Sequence, residues 1–405
     1  MRKGWEIKNL GEISDIVNGG TPDTNIPKFW DGENLWITPK DMGKLQSIFV
    51  DDTLRKITNE GLKNSSAKIL PPNSIILSSR APIGHLAINV KPISTNQGCK
   101  GLVPKKEINF LYLYYFLYNS VDLLNSLGTG ATFKELSGSK LSSVEIPLPP
   151  LSEQYEIVSI LDDAFESIEL AKSNAEKNLI NARELFESIS LKTFSDGIKI
   201  KNWPLEKLEK YCKVVVGYVG PISKEYVNDE KGILLLSTKN IGDNGISLKK
   251  LTRINKSFHE KNKKSQLESG DIIVARHGES GHSAVIPEEI KEAHALNVII
   301  IKKSSELSSN YISFLLNSGI LNKISESKSG SVQEIINTSI IKDLIIPIPN
   351  TAEQIKIVLN LKSISEETKR LESIYYQKIN DLEELKKSIL QKAFNGELKT
   401  SKLSV

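Results

Sequence analysis

The feature that most constrains this 405-residue chain is that it repeats itself. Ile146-Pro147-Leu148-Pro149-Pro150-Leu151-Ser152-Glu153-Gln154 returns 200 residues later as Ile346-Pro347-Ile348-Pro349-Asn350-Thr351-Ala352-Glu353-Gln354. Glu184-Leu185 and Ser188-Ile189 return as Glu384-Leu385 and Ser388-Ile389. Phe194 matches Phe394, and Gly130 matches Gly330. Solenoid units run to about 20–45 residues, so this period is far too long for one. The chain is one two-part unit, duplicated and fused.

Each half carries two textures. The first is punctuated by Gly, Pro and Asn and holds short apolar runs. Ser74-Ile75-Ile76-Leu77, Val144-Glu145-Ile146, Leu234-Leu235-Leu236, Asp271-Ile272-Ile273-Val274 and Val298-Ile299-Ile300-Ile301 predict strands. Phe110 to Tyr118 and Asn310 to Leu316 predict short helices. The fold class is therefore mixed α/β (α+β), with an irregular sheet in each half.

The second texture is a long helix. Leu161, Ala164, Ile168, Ala171, Ala175, Asn178, Ala182, Leu185 and Ile189 alternate spacings of three and four, a heptad seam. Leu361, Ile364, Thr368, Leu371, Tyr375, Lys378, Leu382, Leu385 and Ile389 repeat it. Thr351 as N-cap with Gln354 reads as a capping box, and Gly197 and Gly396 stand where each helix should stop. Each rod spans roughly 65 Å at 1.5 Å per residue. Similar seams separated by a globular segment predict an antiparallel coiled coil, with two similar domains about a pseudo-twofold axis. The expected segments are 1–150, 151–196, 197–350 and 351–405. Asn178 and Lys378 are an equivalent polar flaw. Either they fix register, or Leu179 and Ile379 take over the seam locally as a stutter.

Chemistry of catalysis is missing. No G-x-x-x-x-G-K-[ST] loop and no dinucleotide fingerprint exist, and Gly278-Glu279-Ser280-Gly281 is one residue short of a nucleophile elbow. His85, His259, His277, His282 and His294 do not pair at metal spacings, so no metal is expected. Cys99 and Cys212 are the only cysteines, which excludes a disulfide framework and fits a reducing cytosol. No stretch approaches 18 apolar residues, so no membrane span is expected, and the N-terminus does not read as a secretory signal. The chain reads as a binder with no reaction centre, located in the cytoplasm.

Net charge is only +4, but cations cluster: Lys249, Lys250, Arg253, Lys256, His259, Lys261, Lys263 and Lys264 share one segment. A solvated face is the plainer reading of such a run. Polar loops follow apolar runs at Asn18-Gly19-Gly20-Thr21, Ser237-Thr238-Lys239-Asn240 and Arg276-His277-Gly278-Glu279-Ser280.

These loops carry a resemblance. Asn18-Gly19-Gly20-Thr21-Pro22, Leu35-Trp36-Ile37-Thr38-Pro39-Lys40-Asp41-Met42-Gly43, Leu77-Ser78-Ser79-Arg80-Ala81-Pro82-Ile83-Gly84 and Thr95-Asn96-Gln97-Gly98 resemble target-recognition domains of type I restriction–modification specificity subunits. Gly128-Thr129-Gly130-Ala131-Thr132 and the Ile-Pro-Leu-Pro-Pro-Leu-Ser-Glu-Gln stretch complete the pattern. The second half departs from it: Gly217-Tyr218-Val219-Gly220-Pro221 replaces the Gly-Gly-Thr-Pro string, and Arg276 is out of register with Arg80 by one.

The resemblance implies a non-catalytic subunit whose segments 1–150 and 197–350 are target-recognition domains, whose segment 151–196 is a spine helix, and whose segment 351–405 is a second spine helix with a C-terminal tail. It implies a bipartite asymmetric site on double-stranded DNA with an unread gap. It implies two modification subunits that methylate adenine and two restriction subunits as partners, and no membrane. S-adenosylmethionine, ATP and Mg would sit on those partners alone. Candidate DNA contacts are Asn18, Gly20, Thr21, Lys40, Arg80, Asn96, Thr129 and Lys134 in the first half. In the second they are Tyr218, Lys239, Asn240, Arg253, Lys256, Arg276, His277 and Ser280. Structural salt bridging is the rival role for Arg80 and Arg276. Tyr155, Ile157, Val158, Phe186, Ile355, Ile357 and Val358 are candidates for partner docking. A scaffold without DNA contact is the alternative; a nuclease or methyltransferase would need motifs that are absent.

Overall fold

The computed structural model describes all residues except 1, 3, 81, 131–133, 243, 244, 250, 277–280, 321–335 and 399–405. Gly330 lies outside the described residues. Two compact units emerge: one of Met1–Ala175 with Gln377–Val405, the other of Glu176–Tyr376. They cut across the four expected segments, because each long helix is shared between a domain near its start and another near its end.

In unit 1 a five-stranded sheet has the order Ser14–Asn18, Cys99–Pro104, Ile75–Ser79, Ile83–Asn89, Phe49–Val50. A three-stranded sheet, Arg55–Ile57, Trp30–Ile37, Ile93–Thr95, lies beside it. Ile75-Ile76-Leu77 is a continuous apolar run because both faces of its strand are covered. Ile75 and Leu77 enter one core with the helix Phe110–Asn119, and Ile76 enters another with Leu35 and Ile93. Unit 2 repeats this. Val214–Val216, Val298–Ile301, Ile272–Ala275 and Ser283–Val285 form one sheet, with Ile272 and Val274 in one core and Ile273 in another.

The repeated Pro-rich stretch is a hub. In unit 1 Glu6–Asn9 pairs antiparallel with Glu145–Leu148, and in unit 2 Leu205–Lys207 pairs with Ile345–Pro347. Trp5 Nε1 donates to Glu153 at 3.2 Å, and Trp203 Nε1 to Glu353 at 2.9 Å. Arg2 and Lys201 pair with the same two carboxylates. Buried Gln154 accepts from Asn109 N and donates to Glu107 O and Pro149 O. Gln354 does the same with Ser308 N, Glu306 O and Pro349 O. Gln354 is therefore a staple from helix to domain, not half of a capping box. The cap is Asn350, whose Oδ1 accepts from Glu353 N at 2.9 Å, one residue before the expected Thr351.

The long helices run Leu151–Lys199 and Thr351–Phe394. Gly197 is inside the first helix rather than past its end. A Cβ there would lie 2.0 Å from the Trp203 ring, so the missing side chain seats the indole. Gly396 has φ +74° and does follow its helix, as a left-handed C-terminal glycine should. The helices run antiparallel within each unit. Glu169 and Lys172 pair with Lys386 and Glu383 in unit 1, and Arg183 pairs with Glu372 in unit 2. The polar flaw resolves as a stutter. Asn178 and Lys378 are exposed, Leu179 is buried and Ile379 half-buried. The shift turns Leu185 and Leu385 out of the seam to 58% and 47% exposure.

Candidate nucleic-acid interface

In unit 1 the candidate loops meet because of strand direction. Ser14–Asn18 and Ile75–Ser79 are each antiparallel to Cys99–Pro104 between them, so they are parallel to each other. Asn18 faces Lys100, Ser78 faces Cys99 and Ser79 faces Ile83. The loops after Asn18 and Ser79, and those before Ile83 and Cys99, therefore leave the sheet at one end.

Hydrogen bonds tie these loops together. Gly20 N donates to Thr95 O at 2.8 Å, and Ser79 N to Gly98 O at 2.8 Å. Leu136 N donates to Ser79 O, while Thr129 and Glu135 exchange both backbone bonds. A Cβ on Gly20 would lie 2.3 Å from Ala67 N, and its carbonyl accepts from Trp36 Nε1. Gly20 is thus a packing position where only hydrogen fits. Thr38 opens the loop after Ile37 through a reciprocal cap with Asp41, which leaves Lys40 exposed. Pro39 of that loop reaches the position a Gly98 Cβ would approach at 3.0 Å.

The structure thus brings together Asn18, Thr21, Lys40, Arg80, Asn96, Thr129 and Lys134. Asn18, Thr129 and Lys134 are exposed. Asn96 is a turn-former: its Oδ1 accepts from Gly98 N at 3.0 Å. Arg80 is half-buried and pairs with Glu135 at 3.7 Å, so the salt-bridge role holds in the free chain.

Unit 2 rebuilds this end with other side chains. Gly19 N bonds Cys99 O and Gly217 N bonds Val298 O, which makes Cys99 and Val298 equivalent. Gly20 N bonds Thr95 O and Tyr218 N bonds Ala295 O, so Tyr218 occupies the place of Gly20. Ala275 faces Val298 as Ser78 faces Cys99. Arg276 therefore matches Ser79, and the one-residue slip read in the sequence is real. Its Nη1 donates to Asn297 Oδ1 at 3.1 Å. Tyr218 packs edge-on against Phe258, 5.0 Å between centroids. Ser237 and Asn240 form the same reciprocal cap as Thr38 and Asp41, which makes exposed Lys239 the counterpart of Lys40.

Three expectations for unit 2 change. Asn240 is buried and holds Ser237 N and Ser247 O, so it shapes the loop and does not face outward. Arg253 lies within the strand Thr252–Ile254 and Lys256 follows it; that strand is antiparallel to Ile233–Leu236, with Ile254 opposite Ile233, so both lie towards the far end from Lys239. Arg253 Nη1 is tied to Gly232 O at 2.6 Å. His277 and Ser280 lie outside the described residues. Within the basic segment Lys249, Lys256, Lys261, Lys263 and Lys264 are exposed, but His259 is buried.

His259 shows the electrostatics of that core. Its Nε2 lies 3.0 Å from Glu292, and its Nδ1 3.2 Å from His294 Nδ1. Burial lowers both histidines, His294 to about 4, so the pair is neutral at pH 7. Burial also pushes the Cys99 thiol up to about 12 and Cys212 to about 11, which keeps both unreactive. Among the described residues no cluster of His, Cys, Asp and Glu could hold a metal ion. No helix among them is long and apolar enough to cross a membrane.

The docking candidates divide. Ile157 and Val158 are buried in the core of unit 1, and Ile357 in that of unit 2, with half-buried Val358 packed on it. They face their own domains because the first turns of each helix must cover the sheet. Phe186, half-buried, sits where the stutter returns the seam. Tyr155 and Ile355 remain outward at 56% and 54% exposure. Sequence reasoning passed over Gln97 and Asn297. Gln97 stood inside a quoted motif; Asn297, at φ +54°, carried no motif at all.

The comparisons with known proteins agree with this architecture. A family described as Type I restriction modification DNA specificity domain matches residues 2–182 and 223–384. The chain is 31% identical over 323 residues to the MjaIX specificity subunit of Methanocaldococcus jannaschii, covering 76% of this chain and 74% of that protein. The MjaVIII specificity subunit of the same organism is 25% identical over 421 residues, 99% and 94% of the two chains. A solved chain from work on complex assembly and conformational transition of the type I R-M system superposes with TM-score 0.80 at 17% identity, covering 98% and 99%. The HsdS subunit of Thermoanaerobacter tengcongensis gives 0.63 at 17% identity, covering 98% of each chain. The chain belongs to the family of type I restriction–modification specificity subunits, the non-catalytic components that carry sequence recognition.

Proposed function

We propose that each unit reads one part of a bipartite asymmetric site on double-stranded DNA through the loop cluster at the end of its sheet. One observation carries this reading. The two clusters share strand pairing and the backbone bonds that place their first loops, yet Gly20 is answered by Tyr218 and Ser79 by Arg276. The same scaffold with different groups at its tips reads different bases. Lys40 and Lys239, equivalent and exposed, suit phosphate.

The chain then positions two modification subunits and two restriction subunits on that site. Tyr155 and Ile355, the same position in each copy, mark a docking surface for the modification subunits. S-adenosylmethionine, ATP and Mg belong to those partners, and the complex works in the cytoplasm. A scaffold without DNA contact gives no reason for two loop clusters that differ in this way.

Methylome sequencing of strains carrying the modification complex tests the reading. Arg80→Ala should alter one half-site and Arg276→Ala the other, each at about 1–3 kcal/mol if a base contact is lost. Lys40→Ala and Lys239→Ala should weaken binding to all sequences and flatten its salt dependence. If all four variants keep wild-type specificity, affinity and salt slope, the loop clusters are not the reading surface.

A further inference from the structure

In the first loop cluster one side chain is built to be held still while its working edge stays in solvent. Gln97 is exposed at the tip of the turn between Thr95 and Cys99. Both of its neighbours are fixed. Asn96 N donates to Ile37 O at 3.0 Å, and the Asn96 side chain closes the turn onto Gly98 N at 3.0 Å. The Gly98 carbonyl takes bonds from Ser79 N at 2.8 Å and from Ser79 Oγ at 3.1 Å. The side chain is oriented as well: the Thr21 hydroxyl, from the loop after Asn18, donates to Gln97 Oε1. That bond takes one lone pair of the amide oxygen and fixes which way the amide faces. The second lone pair and both Nε2 hydrogens stay available.

We propose that Gln97 is a specificity-determining residue of the first half-site, and that it reads an adenine in the major groove with Thr21 as its positioning residue. This rests on the reading of unit 1 as a DNA-binding head. An amide is the side chain that can accept from adenine N6 and donate to adenine N7 at once. A freely rotating glutamine would lose rotamer entropy on binding. Here the turn and Thr21 have fixed it beforehand. The second unit has no copy of the device. Val219 follows Tyr218 as Thr21 follows Gly20, and a two-residue connection, Leu296-Asn297, replaces the three-residue turn. There Asn297 Oδ1 is already engaged by Arg276. Gln97 therefore serves one half-site only.

The test uses the complex of the full chain with its modification subunits. Its wild-type site is first read from the methylome. Duplexes of that site, each changed at one base pair, are then titrated at fixed salt. Gln97→Ala should bind the wild-type site about 5- to 100-fold more weakly and lose preference at one adenine, with the other half-site untouched. Gln97→Glu keeps the shape but cannot donate to N7, and should move the preference at that position towards cytosine, whose N4 donates. Thr21→Val should relax the same position more mildly, and Thr21→Ser should restore it. Uniform weakening across all duplexes would make Gln97 a phosphate contact and overturn the proposal. So would unchanged specificity in both Gln97 variants. A wild-type complex with no bipartite site at all would instead sink the reading of the units as recognition heads.

Discussion

Replacing Gln154 by Leu removes the staple between the first long helix and the domain it leaves. The substitution strands Asn109 N, Glu107 O and Pro149 O, bonded at 2.8, 3.0 and 2.9 Å. Gln154 is fully buried, and its bonds to Asn109 and Pro149 lie out of reach of water. Each buried backbone group left without a partner costs about 1–3 kcal/mol, and a partly exposed one less. Two full penalties and a partial one come to about 3–5 kcal/mol, of which the added leucine surface returns about 1 kcal/mol. A domain of this size loses about 2–4 °C per kcal/mol, so the melting temperature of unit 1 should fall by about 4–16 °C. Differential scanning calorimetry of the full chain measures it. Gln354→Leu, with bonds of 2.8, 3.2 and 3.1 Å, should lower unit 2 by a similar or slightly smaller amount. A fall of less than about 2 °C in both variants would mean that the repeated Gln does not hold helix to sheet, and the hub argument would fail.

Four further outcomes are expected. His294 is depressed from 6.5 to about 4 by burial, so its contribution is whole above pH 6.5 and is lost as pH falls towards 4; its own share of the loss in unit 2 between pH 7 and pH 5 is about 2 kcal/mol, and His294→Gln should remove that share in pH-dependent melting. Gly197→Ala would set a methyl 2.0 Å from the Trp203 ring, and stability read from thermal melting should fall by about 1–3 kcal/mol even though Ala favours helix. Leu179→Ala should cost about 2–3 kcal/mol and Asn178→Ala less than about 0.5 kcal/mol by urea unfolding; the reverse ranking would restore the polar residue to the seam. Tyr155→Asp and Ile355→Asp, at exposed positions, should leave melting unchanged but stop co-purification of the modification subunits, and unaltered assembly would move the docking surface elsewhere.

Much of the molecule was written locally. The offset of 200 residues announced two equivalent halves, and the three-and-four spacing announced two long helices. The apolar runs at Ile75-Ile76-Leu77 and Ile272-Ile273-Val274 announced strands, and the structure added that both faces of each are covered. Motif strings also located the loops of the first head. Spacing cannot tell which of several apolar faces a helix turns inward. Ile157 and Ile357 looked like docking residues until the sheet beneath them claimed them, and Leu185 looked like a seam residue until the stutter at Leu179 rotated it outward. Whether a polar loop residue reads or builds is equally invisible in one dimension. Asn240 and Asn96 direct their amides into their own turns, whereas Gln97, one residue from Asn96, is turned outward by Thr21, 76 residues earlier in the chain. Local sequence sets backbone preference and periodicity over a few turns. The destination of a side chain depends on partners supplied from distant segments: here strand order brings the turns after Asn18 and Ser79 to one end of one sheet and those after Ile37 and Thr95 to one end of a second, and backbone hydrogen bonds tie the turns together.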